Sequence, residues 1–213
     1  MTTDNREYWE EKWGGKFSED GLVPSTLVVK MYEHLKDKPI KTVLDLGAGK
    51  GRDSFWLAAH GYQVTALDIS PSALQYIKGI CPKIQTICGD IADFDGGTAG
   101  YDWVLANLSL HYWNDAVTRM IVKQIYRTLN PGGWFTVRCK SVNDSKYGQG
   151  VKVGDNTYCH GHTRHFFTLQ YMKELLQCFE VVCLEECAIE EKHYGRYTAV
   201  EALAVKTDKK DFF

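Results

Sequence analysis

Three carboxylates and three glycines stand where they could hold a polar ligand. Asp45 closes a short apolar run, Thr42-Val43-Leu44, and Gly47, Gly49 and Gly51 follow it at once. Asp68 closes a second apolar run, and Asp90 follows a third, Ile84-Gln85-Thr86-Ile87-Cys88. Asn107 and Ser109 end a fourth. A carboxylate in the position of Asp68 can accept from two vicinal hydroxyls, and one in the position of Asp90 from an exocyclic amine. Asp45, with the N-terminus of the helix after the glycines, complements a zwitterion. Taken singly, each acid could equally cap a helix; their order along the chain argues for a common site.

A second set of reactive side chains lies later. His111, Tyr112, Trp113, Arg138, Tyr147, Arg164, His165, Tyr194 and Arg196 are candidates for handling a second substrate. Arg164 and His165 precede Phe166-Phe167, which should anchor their segment. They could hold an oxyanion or act as a base, the alternative being that they bond loop carbonyls. Cys159-His160-Gly161-His162-Thr163-Arg164-His165 is rich in metal donors. Its spacing is not that of a closed zinc site and no CxxC accompanies it, so no metal is expected. The seven cysteines are odd in number and expected to be reduced and mostly buried. Cys178, Cys183 and Cys187 hint only faintly at arsenic chemistry, and core packing explains them better.

The elements that must position these groups alternate. An arm at 5–17 carries Tyr8, Trp9, Trp13 and Phe17, with the two tryptophans stacked if helical. It should dock on the domain or act as a flap over the ligand. A helix is expected at 23–37, with Pro24 in its first turn and Leu27, Val28, Met31 and Leu35 inward. Strands at 42–46, 62–67, 84–88, 102–107 and 134–139 alternate with helices at 52–60, 71–78 and 115–129. The first of these helices should bury Phe55, Leu57 and Ala58. The last should bury Val117, Met120, Ile121, Ile125 and Leu129. Ser70 and Pro71 open the middle one. Gly96–Gly100 is a glycine-rich loop and Asn130-Pro131-Gly132-Gly133 a turn. After 141 the pattern changes to a polar stretch, then a helix at 168–177 opened by Thr168, then a hairpin of 179–188 and 197–206 joined through His193-Tyr194-Gly195-Arg196.

The fold class is therefore α/β: a doubly wound, mostly parallel seven-stranded sheet with an antiparallel C-terminal hairpin. One domain is expected over 1–213, with an N-terminal helical arm (1–40), a ligand-binding core (41–140), an insertion (141–167) and a C-terminal helix and hairpin (168–206). The 213 residues suffice for a full core, and 44% apolar and 24% charged content is ordinary for a globular protein. A net charge of −2 gives no case for nucleic acid or an anionic membrane as partner. No apolar run reaches bilayer length, and the acidic start lacks a signal core, so a cytoplasmic location is expected.

The motifs VLDLGAGKG at 43–51, ALDIS at 66–70, GDI at 89–91, the run 102–108 and the NPGGW turn at 130–134 occur in order. Together they resemble the class I S-adenosylmethionine-dependent methyltransferases. That resemblance implies S-adenosyl-L-methionine as cofactor. It places Gly47, Ala48 and Gly49 close to the methionine part, Asp68 at the ribose hydroxyls, and Asp90 with Ile91 at the adenine, with Asp45, Gly51, Arg52 and Ile69 also expected to bind the cofactor. Asn107 falls near the amino-acid end, and Trp13 on the arm over it. A nicotinamide fingerprint would want glycine where Arg52 stands. No NPPY-type stretch follows the fourth strand, which disfavours adenine amine methylation and favours a small-molecule acceptor. The YWEEKW arm, compact size and late hairpin are similar, more loosely, to the tellurite and thiopurine methyltransferases. That implies a tellurium, selenium or sulfur nucleophile, with O- or N-methylation of a small metabolite as the alternative. His165, Arg164, His111 and Tyr147 are the candidate catalytic residues. A non-catalytic cofactor-binding protein is a more distant possibility, and either a monomer or a homodimer is compatible.

Overall fold

The computed structural model describes residues 4–13, 22–95, 100–192 and 195–207. Phe17, most of the 96–100 loop, the His193-Tyr194 connection and the tail beyond 207 lie outside the described residues. In chain order the elements are α1 (Asp4–Trp13), α2 (Thr26–Leu35), β1 (Thr42–Leu46), α3 (Arg52–Ala59), β2 (Gln63–Asp68), α4 (Pro71–Ile80) and β3 (Gln85–Cys88). Then come β4 (Tyr101–Asn107), α5 (Asp115–Thr128), β5 (Leu129–Lys140), β6 (Val151–Gly154), β7 (Thr157–His160), β8 (His162–His165), α6 (Leu169–Leu175), β9 (Glu180–Glu191) and β10 (Gly195–Val205). Seven strands form a mixed sheet in the order β3-β2-β1-β4-β5-β10-β9, and β6-β7-β8 form a second, small sheet. The pairs β1–β2, β2–β3 and β4–β5 are parallel, whereas β10 runs antiparallel to both β5 and β9. This is the α/β architecture the alternation implied, with its C-terminal hairpin. Among the described residues no helix is long and apolar enough to cross a membrane. The chain divides into two compact units, Met1–Phe94 and Asp95–Phe213.

In the N-terminal unit, Leu27, Val28, Met31 and Leu35 of α2 are fully buried, as their spacing required. Ser25 is the cap of α2, its hydroxyl accepting from the Val28 N–H at 3.1 Å, so Pro24 precedes the cap rather than occupying the first turn. In α3 the buried face is Asp53, Ser54 and Leu57, while Phe55 and Ala58 are only half-buried. The reason is polar. Asp53 accepts from both the N–H and the hydroxyl of Ser25, at 2.7 and 2.8 Å, and Ser54 donates to Asp45 at 2.6 Å. Two buried side chains with satisfied hydrogen bonds outweigh the apolar pattern. Ser70 caps α4 and Pro71 takes its first position.

In the C-terminal unit, Trp103, Phe135, Phe166 and Phe167 are among the largest fully buried side chains. Asn130–Gly133 is not a free turn. Tyr101 pairs with Leu129 but Trp103 pairs with Trp134, so these residues bulge out of β5 within the ladder. On α5, Ile121, Val122 and Ile125 face inward, whereas Met120 is exposed and Leu129 opens β5. The polar stretch after 141 holds β6, β7 and β8. Asn156 turns the chain between the first two in a left-handed conformation, φ 47°, and Gly161 does so between His160 and His162. Only Cys139 and Cys178 are buried; Cys88 is exposed and the other four cysteines are half-buried, and no disulfide joins any of the seven. Cys178 lies beyond α6, not on a strand.

Candidate functional site

The glycine loop of the N-terminal unit is shaped by its backbone. The loop glycines are left-handed, with φ of 74° at Gly47, 54° at Gly49 and 79° at Gly51. A Cβ on Gly51 would meet Cγ1 of Ile77 at 2.6 Å, so this position also demands glycine for packing of the loop on α4. The N–H groups of Gly47 and Ala48 donate to the Leu67 carbonyl at 2.8 and 3.0 Å, fixing the loop against the end of β2. The third loop N–H, of Gly49, donates to Asp68 at 2.7 Å, and Ser70 N–H donates to the other Asp68 oxygen at 2.9 Å. Asp68 is thus held rigidly by backbone donors, and its carboxylate keeps acceptor capacity for a further donor.

The three acids differ in state. Burial pushes the Asp45 carboxyl up from 3.8 to about 7, reinforced by the charge of Asp53 and opposed by the hydrogen bond from Ser54. Asp68 is also raised by burial, against the backbone donors of Ser70, Gly49 and Ile69 that favour its charge. Asp90 is raised by burial as well. Its Oδ1 accepts from the Ala92 N–H at 2.8 Å and caps the short turn Ile91–Asp93. Ile91 is buried beside it, Ile69 is half-buried after Asp68, and Arg52 opens α3 half-buried. A buried carboxyl with an elevated pKa beside a glycine loop is suited to a cationic ligand group, whose arrival would restore its charge.

The arm joins this loop. Trp9 and Trp13 stack on α1 with centroids 6.1 Å apart, and the Trp13 ring lies 3.3 Å from where a Gly49 Cβ would sit. Lys50 Nζ stands 5.7 Å from the centroid of the same ring. Glu10 fastens the arm to α4. It accepts from the Ser70 hydroxyl at 2.6 Å and from the Ser72 hydroxyl, bonds that lower its pKa. The arm is therefore docked, and docked over the loop.

In the C-terminal unit a tight turn, Leu110–Tyr112, follows β4, after Leu108 in a left-handed conformation with φ 56°. The turn packs on β8. His111 is 1% exposed, and burial holds its imidazole well below its ordinary pKa, with Arg164 the next cause. Its ring lies 4.3 Å from that of Tyr112, which in turn lies 5.2 Å from His162. Arg164 reaches His162 Nε2 at 2.7 Å and its guanidinium stands 5.9 Å from the Tyr112 centroid. The turn thus brings His111 into the neighbourhood of Arg164 on β8. His162 completes the group, and the alternation of β8, which puts 162 and 164 on one face, would have found it.

The other candidates divide. His165 is 4% exposed, on the opposite face of β8, against Phe167 and Tyr171. Its pKa is lowered by burial, with Asp115 opposing. Tyr147 donates its hydroxyl to Asn156 at 2.9 Å and packs on Tyr158 and Phe166, so it braces the small sheet. Asn107 ends β4, half-buried. Arg138 is not available to a substrate. It is buried and bonded to Glu201, Glu191 and Tyr197 at 2.7, 2.9 and 3.1 Å. Arg196 is an exposed hairpin residue paired with Glu190 at 3.2 Å. Tyr194 lies outside the described residues. The donor-rich Cys159–His165 stretch is drawn out along β7 and β8. Among the described residues, the group whose metal-binding atoms lie within 4.8 Å of one another is Glu185, Cys187 and Glu201.

Residues 43–133 match the family described as a methyltransferase domain. An uncharacterised methyltransferase of Synechocystis sp. is 34% identical over 105 residues, covering 49% of this chain and 50% of that protein. The probable S-adenosyl-L-methionine-dependent methyltransferase TehB of Haemophilus influenzae is 28% identical over 107 residues, covering 48% of this chain and 37% of that protein. The chain thus spans about half the length, or less, of these curated relatives. In fold, it superposes on the 1,6-didemethyltoxoflavin-N1-methyltransferase of Burkholderia thailandensis, solved with S-adenosylhomocysteine, with a TM-score of 0.73 at 23% identity, covering 96% of this chain and 88% of that one. In fold the chain is like solved methyltransferases, and its residues 43–133 match a methyltransferase domain. TehB is among the proteins that this stretch resembles.

Proposed function

We propose that the protein is an S-adenosylmethionine-dependent methyltransferase acting on a small-molecule acceptor. The observation that carries this reading is the left-handed glycine loop flanked by Asp45 and Asp68, with Asp90 following β3, inside a matched methyltransferase domain. Asp68 would take the ribose hydroxyls with its remaining acceptor capacity, and Asp90 with Ile91 the adenine. Asp45 and the N-terminus of α3 would face the amino-acid end, with Gly47, Ala48, Gly49, Gly51 and Arg52 along it. Trp13 would cover it. When bound, the cofactor supplies a sulfonium-activated methyl that needs no covalent enzyme intermediate. The chain has to exclude water, orient the acceptor and receive any proton the acceptor loses.

A tellurium, selenium or sulfur nucleophile fits the likeness to the tellurite and thiopurine methyltransferases and needs little help from a base, because such groups are readily ionised. The second reading, O- or N-methylation of a small metabolite, would call on His165, whose imidazole burial holds in the neutral form. Methyl-labelled S-adenosylmethionine offered with tellurite, selenite, small thiols, phenols and amines tests both. Label should move to one acceptor class, and His165→Ala should lower turnover with that acceptor while leaving cofactor binding intact. Label that moves to no acceptor would contradict the enzymatic reading, and unchanged turnover in His165→Ala would remove that residue from the site.

A further inference from the structure

The turn after β4 and the facing strand β8 carry more buried hydrogen-bonding capacity than the described residues use. Ser109 Oγ, both ring nitrogens of His111, Trp113 Nε1 and Arg164 Nε are buried without a hydrogen-bond partner among the described residues. Ser109, His111 and Trp113 are each more than nine-tenths buried, at 7%, 1% and 7% exposure. Such orphaned groups are rare in a folded interior and costly to leave unmet. Donors predominate among them, beside the one acceptor nitrogen of a neutral His111. The indole and the guanidinium Nε can only donate, a neutral imidazole offers one N–H, and a hydroxyl can rotate to donate.

The charges around them point the same way. His111 feels Arg164 first, then Lys140, His162 and His165. The nearby carboxylates are already spent. Asp144 pairs with Lys140 at 3.0 Å and receives the Thr198 N–H, and Asp115 accepts from Arg119 at 2.9 Å. A ligand entering here would meet donors and positive charge without a free carboxylate to repel it. Charge-assisted bonds from such donors are the strong ones, and the fork of arginine suits planar or pyramidal oxyanions.

We propose that Ser109, His111, Trp113 and Arg164 form an oxyanion pocket that holds an acidic group of the methyl acceptor, or the acceptor itself where it is an inorganic oxyanion. This rests on the reading of the C-terminal cluster as the acceptor side of a methyltransferase. Specificity then follows from charge. An acceptor bearing a carboxylate or other oxyanion is taken, and its neutral ester is refused because the donors are left unpaired.

The test is calorimetry on the full chain saturated with S-adenosylhomocysteine, titrated with mercaptoacetate, its methyl ester and selenite. The acid, selenite or both should bind, and the ester, which carries the same thiol, should bind at least about 10-fold more weakly. Mercaptoacetate alone would mark an organic acid as the natural acceptor, and selenite alone an inorganic one. Arg164→Gln should weaken anion binding by about 10-fold or more, and Trp113→Phe, which removes a single N–H, by several-fold. An ester that binds as well as the acid, no anion binding to loaded protein, or unchanged affinity in both variants would each overturn the pocket. Should S-adenosylhomocysteine itself fail to bind, the same titrations on free protein separate the two claims. Anion binding that survives there, with its dependence on Arg164, would leave the pocket standing and remove the methyltransferase reading.

Discussion

Replacing Asp45 by Asn should make the free protein more stable at alkaline pH. Asp45 is buried, accepts from Ser54 at 2.6 Å, and has its pKa raised from 3.8 to about 7 by that burial. The folded state therefore holds the proton more tightly than the unfolded chain. This contribution to stability is fully present below 3.8 and is lost as pH rises through about 7. At 1.36 kcal/mol per pKa unit, the raised pKa leaves the folded state about 4 kcal/mol less stable at pH 8 than at low pH, and about 2 kcal/mol less at pH 5. Asn is a neutral shape-mate whose carbonyl can still accept from Ser54. Thermal melts of ligand-free protein should then show Asp45→Asn some 10 °C above wild type at pH 8, with the gap shrinking to a few degrees at pH 5. The same variant should bind S-adenosylmethionine more weakly, by about 10-fold, because it lacks the charge that answers the ligand's ammonium group. A variant that melts at or below wild type at pH 8, or a gap independent of pH, would refute the argument that burial governs this carboxyl.

Three further outcomes follow from particular contacts. Gly51→Ala, strained at φ 79° with a Cβ placed 2.6 Å from Ile77, should destabilise the protein by about 1–3 kcal/mol in urea denaturation. Arg138→Ala removes the cation that Glu191 and Glu201 share in the interior and should cost about 3–5 kcal/mol, read by urea denaturation at pH 7. Trp13→Ala should leave the melting temperature within a few degrees of wild type, since the ring lies at the end of the arm, yet weaken binding of S-adenosylhomocysteine by about 10-fold or more, read by calorimetry.

Where the sequence was legible, one signal dominated. Strand, glycine turn and helix recur with an acid at each strand end, and β1, β2 and β4 stand within a residue or so of where their apolar runs place them. Capping was equally plain at Ser70 and Thr168, whose side chains accept from Ala73 and Tyr171. Failures came where polar contacts overrode apolar periodicity. Asp53 and Ser54 are buried by their bonds to Ser25 and by the bond to Asp45, which no hydrophobic pattern encodes. Arg138 looked like a substrate ligand because its partners, Glu191 and Glu201, arrive more than fifty residues later on a hairpin. The small sheet β6-β7-β8 was missed because its strands are four residues each and built from polar residues, with alternation masked by histidine. That alternation also decides that His162 rather than His165 stands beside Arg164.

The central claim is that the glycine loop and its three acids bind the sulfur cofactor. Calorimetry with S-adenosylmethionine, S-adenosylhomocysteine and NAD tests it directly. Micromolar binding of the first two, lost in Asp68→Ala, and none of NAD is the expected result. Absence of binding by both sulfur compounds to folded protein would contradict it.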